Sequence, residues 1–438
     1  MSEPSGPQTQ PVPSRVPAPV RLRSVNSTTD ERPESNVGQR GISDPMKIEA
    51  IDLFYIALPE IRPAADSSQD SLVVRVRGDN GLVGWGECDG SPLGNLAAYV
   101  MPMSHLNIIN LNEALLGETV DSPDDVVRLR AKAGRYGLDA QQIDHAVAGV
   151  DVALWDLVGK YLGEPVYRLL GYEKSYPKLP YSSVLFGKTP EETRRIAMRI
   201  SNDGYGAAKF GWSPMGEGTL EDDVALVAAA REGLGPDPQL MVDAGVIWGS
   251  DDAAAFERAE RFAEFGVTFL EEPLLPDEVD AYRRLTDRRP SVPIAAGEGC
   301  DFYRAADDLM VNGGIDYIQI DVARIGGITV ADRVCRRAQE LGVTYVNHNY
   351  KSHLTVAASI HVFAGIEEFG LFEYPDGTSP LIRGLTEPTG IIVNSDGMVE
   401  APDIPGLGVE VSTDALRKYL RAVRIEVDGK VLHETPAI

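Results

Sequence analysis

"LMVDAGVIWGSDDAAAFERAERFAEFGVTFLEEP", residues 240–273, spells out one complete structural repeat between two acids. A short apolar run ends at Asp243, a helix-length amphipathic segment follows from Asp252 to Phe265, and a second apolar run from Val267 stops in Glu271 and Glu272. Pro273 forbids simple continuation of that second strand. Strand-length runs separated by helical periodicity point to parallel strands joined by helical crossovers.

The same rhythm extends in both directions. YSSVLF, AAKF, LMVDA, VTFLEE, IAAGE, YIQID, TYVNH and FGLFE read as strands, separated by segments such as PEETRRIAMRIS, EDDVALVAAAREGL and ADRVCRRAQEL. Eight alternations predict an α/β fold of the (β/α)8 TIM-barrel type, with a doubly wound open sheet as the alternative. Upstream, KIEAIDLFYIAL and SLVVRVRGDNGLVGWGE read as antiparallel strands, the second segment turning at Asp79-Asn80-Gly81. DHAVAGVDVALWDLVGKYLG places Val147, Val150, Ala153, Leu154 and Leu157 on one helical face, and Gly163 and Pro165 end that helix. Residues 1–45 are rich in Pro, Ser, Gln, Arg and Asn and read as a disordered extension. The remaining boundaries fall at 46–172 for an α+β domain, 173–395 for the barrel and 396–438 for a C-terminal segment.

A chain of 438 residues with 43% hydrophobic content is long enough for a large core. Its net charge of −25 argues against nucleic acid or an anionic membrane as partner. No stretch approaches the roughly 18 consecutive apolar residues of a membrane span, and the N-terminus has no apolar signal region, so a cytoplasmic protein is expected. Cys88, Cys300 and Cys335 fit neither a disulfide framework nor a thiolate zinc site.

The residues that end the strands carry the chemistry. Asp243, Glu271, Glu298, Asp321, His348 and Glu373 follow one another at intervals of 23 to 28 residues, about one strand-helix unit each. In a barrel that phase is the C-terminal mouth, where active sites lie. A single acid there could be a helix cap or a loop charge. Three on neighbouring strands would repel one another unless a cation lay between them, and an all-oxygen set suits Mg²⁺, so Asp243, Glu271 and Glu298 are the expected metal ligands. Glu272 points away from Glu271 if the strand stays extended, and is expected to support the site from outside the ligand set. Asp321 and His348 end adjacent strands and form a candidate acid/base dyad. Lys209, ending the second strand, is a candidate partner for a substrate carboxylate, or a proton-transfer group with a depressed pKa. His105, His145, His353, His361 and His433 read as structural.

These motifs resemble the mandelate racemase branch of the enolase superfamily from Met46 to about Val411. GVDVALWDLVGKYLGEPVYRLLG (149–171) resembles its helix before the barrel, while VDAG, LEEP and AGEG resemble its three metal-bearing strand ends. DVARIGGIT (321–329), Asn347-His348, Phe372-Glu373 and PDIPGLGVEV (402–411) complete the match. The resemblance implies that the N-terminal α+β region, joined by the C-terminal segment, caps the barrel mouth. It implies abstraction of a proton α to a carboxylate, giving an enediolate held by Mg²⁺. Glu373 would be a hydrogen-bond donor to the developing charge, and Lys209 the first lysine of a Lys-x-Lys motif. The partner would be a small carboxylate, and the assembly a homo-oligomer.

Two departures shape the expected reaction. The second lysine position is Gly211, and Asp243-Ala244-Gly245 stands where relatives often carry Asp-x-Asn. Racemisation needs a base on each face of Cα, whereas β-elimination needs one dyad. Dehydration of a sugar acid, an aldonate or aldarate, to a 2-keto-3-deoxy acid is therefore expected, making the protein a carbon-oxygen lyase. Racemisation or epimerisation, with Lys209 or Lys351 as the replacement base, and a metal-binding relative without turnover are the alternatives. Selectivity is expected to lie in capping loops such as ALPEIRPAADSSQD and CDGSPLG.

Overall fold

The Asp79-Asn80-Gly81 turn joins β2 (Asp70–Gly78) to β3 (Val83–Cys88), and β1 (Ile48–Ala57) pairs antiparallel along the other edge of β2. The structure, a computed structural model, describes residues 45–61, 68–102, 109–136, 143–375 and 379–438. The expected disordered extension, residues 1–45, lies outside the described residues apart from Pro45.

Helix Ile143–Leu162 packs on this sheet. The sequence assigns it one apolar face, yet it is buried on nearly every side from Ala146 to Gly159. Its other flank meets helix Ile328–Leu341, with Asp151 Oδ1 accepting from the Thr329 N–H at 3.0 Å and Trp155 Nε1 donating to Thr329 Oγ1 at 2.9 Å. Polar groups on a helix buried this way need partners. Asp156 has three, accepting from the N–H groups of Trp85 and Leu407 and from Lys160 Nζ.

All eight expected barrel strands form: β4 (Leu179–Leu185), β5 (Ala207–Gly211), β6 (Gln239–Asp243), β7 (Val267–Glu271), β8 (Ile294–Ala296), β9 (Tyr317–Ile320), β10 (Thr344–Asn347) and β11 (Leu371–Pro375). They are parallel, neighbours follow chain order, and the last strand returns to pair with the first, Glu373 opposite Tyr181. The ring between β10 and β11 is closed by a side chain. Asn347 Nδ2 donates to Glu373 O at 3.0 Å, and its Oδ1 accepts from the Glu373 N–H at 2.9 Å. The return of β11 to β4 excludes the open-sheet alternative.

Inside the ring, Tyr181, Ala207, Met241, Phe269, Ala295, Val346 and Leu371 form one apolar cluster. This is the floor of the site. The end of the chain runs back to the first sheet: the Arg421 N–H donates to Tyr55 O, and Arg75 Nη2 donates to Ala437 O. Among the described residues, no helix is long and apolar enough to cross a membrane.

Candidate active site

Strand side chains alternate, so the residue two positions beyond each floor residue faces the same interior. From Ala207, Met241, Phe269, Val346 and Leu371 that step leads to Lys209, Asp243, Glu271, His348 and Glu373, all of them buried. The apolar floor therefore carries an ionisable layer directly above it.

Glu298 does not follow from this step. β8 ends at Ala296, and an extended continuation from Ala295 would turn Gly297 inward and Glu298 outward. Gly297 breaks the phase with φ +129°, and a Cβ there would lie 2.6 Å from Ile318 Cδ1 and 2.7 Å from Gln319 O. Only glycine fits. The turn swings Glu298 back into the bowl, where its Oε2 lies 3.0 Å from His348 Nε2. At Glu272 the chain also leaves the extended path. The residue's φ is +37°, and the side chain is buried with its carboxylate accepting from the Gly299 N–H at 3.1 Å.

Asp243, Glu271 and Glu298 each offer an oxygen, and these atoms all lie within 4.8 Å of one another. Burial raises the Asp243 carboxyl to about 6 against the pull of Lys209, and Glu298 repels it further. Burial likewise pushes Glu271 well above its ordinary value, with Asp243 and Glu373 adding to the rise. Glu272 is pushed to about 8 by burial and by the charges of Glu298 and Asp243. Glu298 is the exception: burial would raise it, but the charge and hydrogen bond of His348 outweigh that and bring it to about 2. A buried set of hard oxygen donors that resist ionising together fits a divalent cation.

On the opposite wall, His348 Nδ1 lies 2.9 Å from Asp321 Oδ2, and Asp321 Oδ1 accepts from the Ala323 N–H at 2.7 Å. Burial alone would lower the imidazole pKa. The carboxylates of Glu298 and Glu373 and the bond to Asp321 raise it well above its ordinary value.

Lys209 Nζ lies 2.7 Å from the Glu271 carboxylate and 2.8 Å from Glu373 Oε1. The depressed pKa expected of a proton-transfer lysine is corrected here. Burial would lower it, but Glu271 and Glu373 outweigh burial and hold the ammonium charged. Glu373, expected as a donor, accepts from Lys209 and from the Asn349 N–H at 2.8 Å. Lys351, the other candidate base, points into the capping side, where its Nζ donates to Ser68 Oγ at 2.8 Å and lies 3.3 Å from Asp89 Oδ1.

Residues 60–171 match the family model of the mandelate racemase / muconate lactonizing enzyme N-terminal domain, and residues 192–415 match that of the enolase C-terminal domain-like family. The chain belongs to the mandelate racemase/muconate lactonizing enzyme branch of the enolase superfamily. Members similar to it differ in reaction. One is D-galactarolactone cycloisomerase of Agrobacterium fabrum, 29% identical and matched over 80% of this chain and 90% of its own length. N-succinyl-L-Arg/Lys racemase of Bacillus cereus is 26% identical, with 85% and 98% covered. L-talarate/galactarate dehydratase of Salmonella typhimurium is 25% identical, with 85% and 90% covered. Among solved structures, a predicted mandelate racemase from Rhodobacter sphaeroides superposes with TM-score 0.86 at 44% identity, covering 90% of this chain and all of that one. A family member from Paracoccus denitrificans, solved with magnesium, superposes with TM-score 0.73 at 26% identity, covering 86% and 98%.

Within this superfamily member, the two departures from the family pattern belong together. A Cβ at Gly211 would lie 2.8 Å from Asp243 Cβ, and one at Gly245 would lie 2.9 Å from the Trp212 ring. Trp212 itself, at φ +63° and half exposed, donates from Nε1 to Asp243 Oδ2 at 3.1 Å. Sequence reading passed over Trp212, whose only signal is its place beside the altered lysine position. Gly211→Lys is accordingly expected to disturb Asp243 rather than supply a second base. Overpacking of this kind costs about 1–3 kcal/mol, measurable as a lower denaturant midpoint with no gain of Cα exchange.

Proposed function

We propose that this enzyme is a magnesium-dependent hydro-lyase that removes water from an aldonate or aldarate to give a 2-keto-3-deoxy acid. The observation that carries the reading is a bowl with one base. Among the described residues, His348 faces the three-acid group with Asp321 behind it, while Lys209 and Lys351 are both held by acids.

Asp243, Glu271 and Glu298 would hold Mg²⁺. When bound, it supplies positive charge that offsets these acids, eases His348 toward its neutral form and makes the α-proton of a substrate carboxylate more acidic. His348 takes that proton at Nε2, while Asp321 keeps the Nδ1 proton in place. The Lys209 ammonium faces the negative charge that develops on the enediolate, and Glu373 acts by orienting that ammonium. His348 then returns its proton to the departing β-hydroxyl as the Cβ–O bond breaks. Water leaves, and the resulting enol tautomerises to the keto acid.

A ring oxygen could leave in the same way, and one base serves that reaction equally well. The Agrobacterium relative named as a cycloisomerase favours this second reading. Two-base racemisation is less well supported, since neither lysine is free to accept a proton.

The test is a panel of sugar acids and their lactones with Mg²⁺, assayed for 2-keto-3-deoxy products and repeated with chelator. Product from at least one acid, lost on chelation, is expected. Deuterium entering Cα from heavy water without elimination would point to racemisation. Metal binding with no turnover of any acid would point to a binding protein.

A further inference from the structure

Asp89 lies in the CDGSPLG loop after β3, on the capping side, and is 1% exposed. Its Oδ1 accepts from the Tyr350 hydroxyl at 2.8 Å and lies 3.3 Å from Lys351 Nζ. Its Oδ2 accepts from Arg324 Nε at 2.9 Å and lies 2.8 Å from Nη2 of the same side chain. The Asp89 N–H donates to Ala323 O at 3.0 Å. Arg324 then reaches onward, its Nη1 donating to Glu298 O at 2.7 Å.

Every one of these partners sits beside the proposed chemistry. Ala323 and Arg324 follow Asp321 by two and three positions, and Tyr350 and Lys351 follow His348 by the same steps. The Tyr350 ring is 5.3 Å from the His348 imidazole. One carboxylate from the capping side therefore ties together the three loops that carry Glu298, Asp321 and His348.

Such a knot is a poor choice for stability alone. Burying one acid between two cations carries a desolvation penalty that well-packed apolar side chains would avoid, and its attested use is to fix geometry. Burial would raise the Asp89 carboxyl, yet Lys351 and Arg324 outweigh it and hold it well below the usual carboxylate range. The charge is thus retained inside the protein.

We infer that Asp89 is a positioning residue, which holds the loops bearing Glu298, Asp321 and His348 in register. The inference rests on the reading of His348 as the base. It also gives Lys351 a role: with Ser68 and the Asp70 carbonyl as its further partners, it ties the β10 loop to the capping side.

The test uses the full chain with Mg²⁺ and Asp89→Asn. A displacement of about 1 Å can cost on the order of 10²-fold in rate, so kcat is expected to fall by about that factor while KM stays within about threefold. Amide hydrogen exchange supplies a readout independent of turnover. Peptides covering 297–302, 321–327 and 348–353 should exchange faster, and those covering 243–249 and 271–277 should not change. Because Asp89→Asn leaves two buried cations short of a partner, Asp89→Asn with Lys351→Met is the second variant, and the same loop-selective loosening is expected of it. Unchanged exchange in all three loops, or a uniform rise across all peptides, would overturn the inference. Selective loosening in an enzyme whose wild type dehydrates no sugar acid would leave Asp89 as the loop anchor and remove the hydro-lyase reading instead.

Discussion

His348→Asn is expected to lower kcat for elimination by at least about 10³-fold while leaving magnesium affinity unchanged or slightly tighter. The two halves of that outcome come from the two faces of the ring. Nδ1 is spent on Asp321 and Nε2 faces Glu298, so the imidazole is the group through which a proton would enter and leave. Asparagine retains polarity but cannot shuttle a proton at neutral pH. The metal half has a definite sign. Charged His348 is the main influence holding Glu298 near 2, and it competes for that carboxylate with any cation the site would bind. Removing it frees Glu298. Calorimetric titration with Mg²⁺ reads the second half directly, and a tenfold loss of affinity would put the imidazole among the ligands and undo its assignment as base.

The legibility of this site in the sequence follows strand phase. Lys209, Asp243, Glu271, His348 and Glu373 were readable because period-two alternation carries each from an apolar floor residue to the mouth, and spacing by one strand-helix unit brings them together. Asp321 obeys the same step from the buried Gln319. Glu298 matches by spacing alone. It reaches the bowl because Gly297 adopts φ +129°, a backbone choice that a list of residue types does not reveal. Glu272 stands outside the three clustered oxygens, and the φ of +37° that sets its direction is likewise invisible in a list of residue types.

Side-chain partners across long sequence separations were not legible at all. The Asp89 to Arg324 bond spans 235 positions and the Lys351 to Ser68 bond 283, so no local pattern announces either. Hence Lys351 looked free to act as a base, and the capping loops looked concerned with selectivity alone. The barrel shows the same division. Its strands were predictable from alternation, but closure at β10 and β11 depends on the Asn347 side chain, and a strand-end Asn next to a candidate catalytic His carries no such message in one dimension.

Glu271→Gln and Glu272→Gln should part company, although the two residues are adjacent, similar in burial and both raised in pKa. Glu271 contributes one of the three clustered oxygens, whereas the Glu272 carboxylate accepts from the Gly299 N–H. Loss of an outer partner typically costs 10- to 100-fold in metal affinity. Glu271→Gln is therefore expected to weaken magnesium by more than about 10²-fold and to take activity with it, and Glu272→Gln to cost no more than about 10- to 100-fold.

Thermal melts add a change of sign. Burial, with the charges of Asp243 and Glu373, disfavours ionised Glu271 in the metal-free fold more than Lys209 favours it, so the neutral amide should leave the metal-free melting temperature unchanged or higher. Lys209 keeps Glu373 at 2.8 Å as its remaining counter-charge. What Glu271→Gln should abolish is the rise in melting temperature on adding Mg²⁺, since a ligand stabilises the fold only in proportion to its binding. Equal losses in the two variants, or a magnesium-dependent rise that survives in Glu271→Gln, would mean that the acid at the tip of β7 is not what grips the ion.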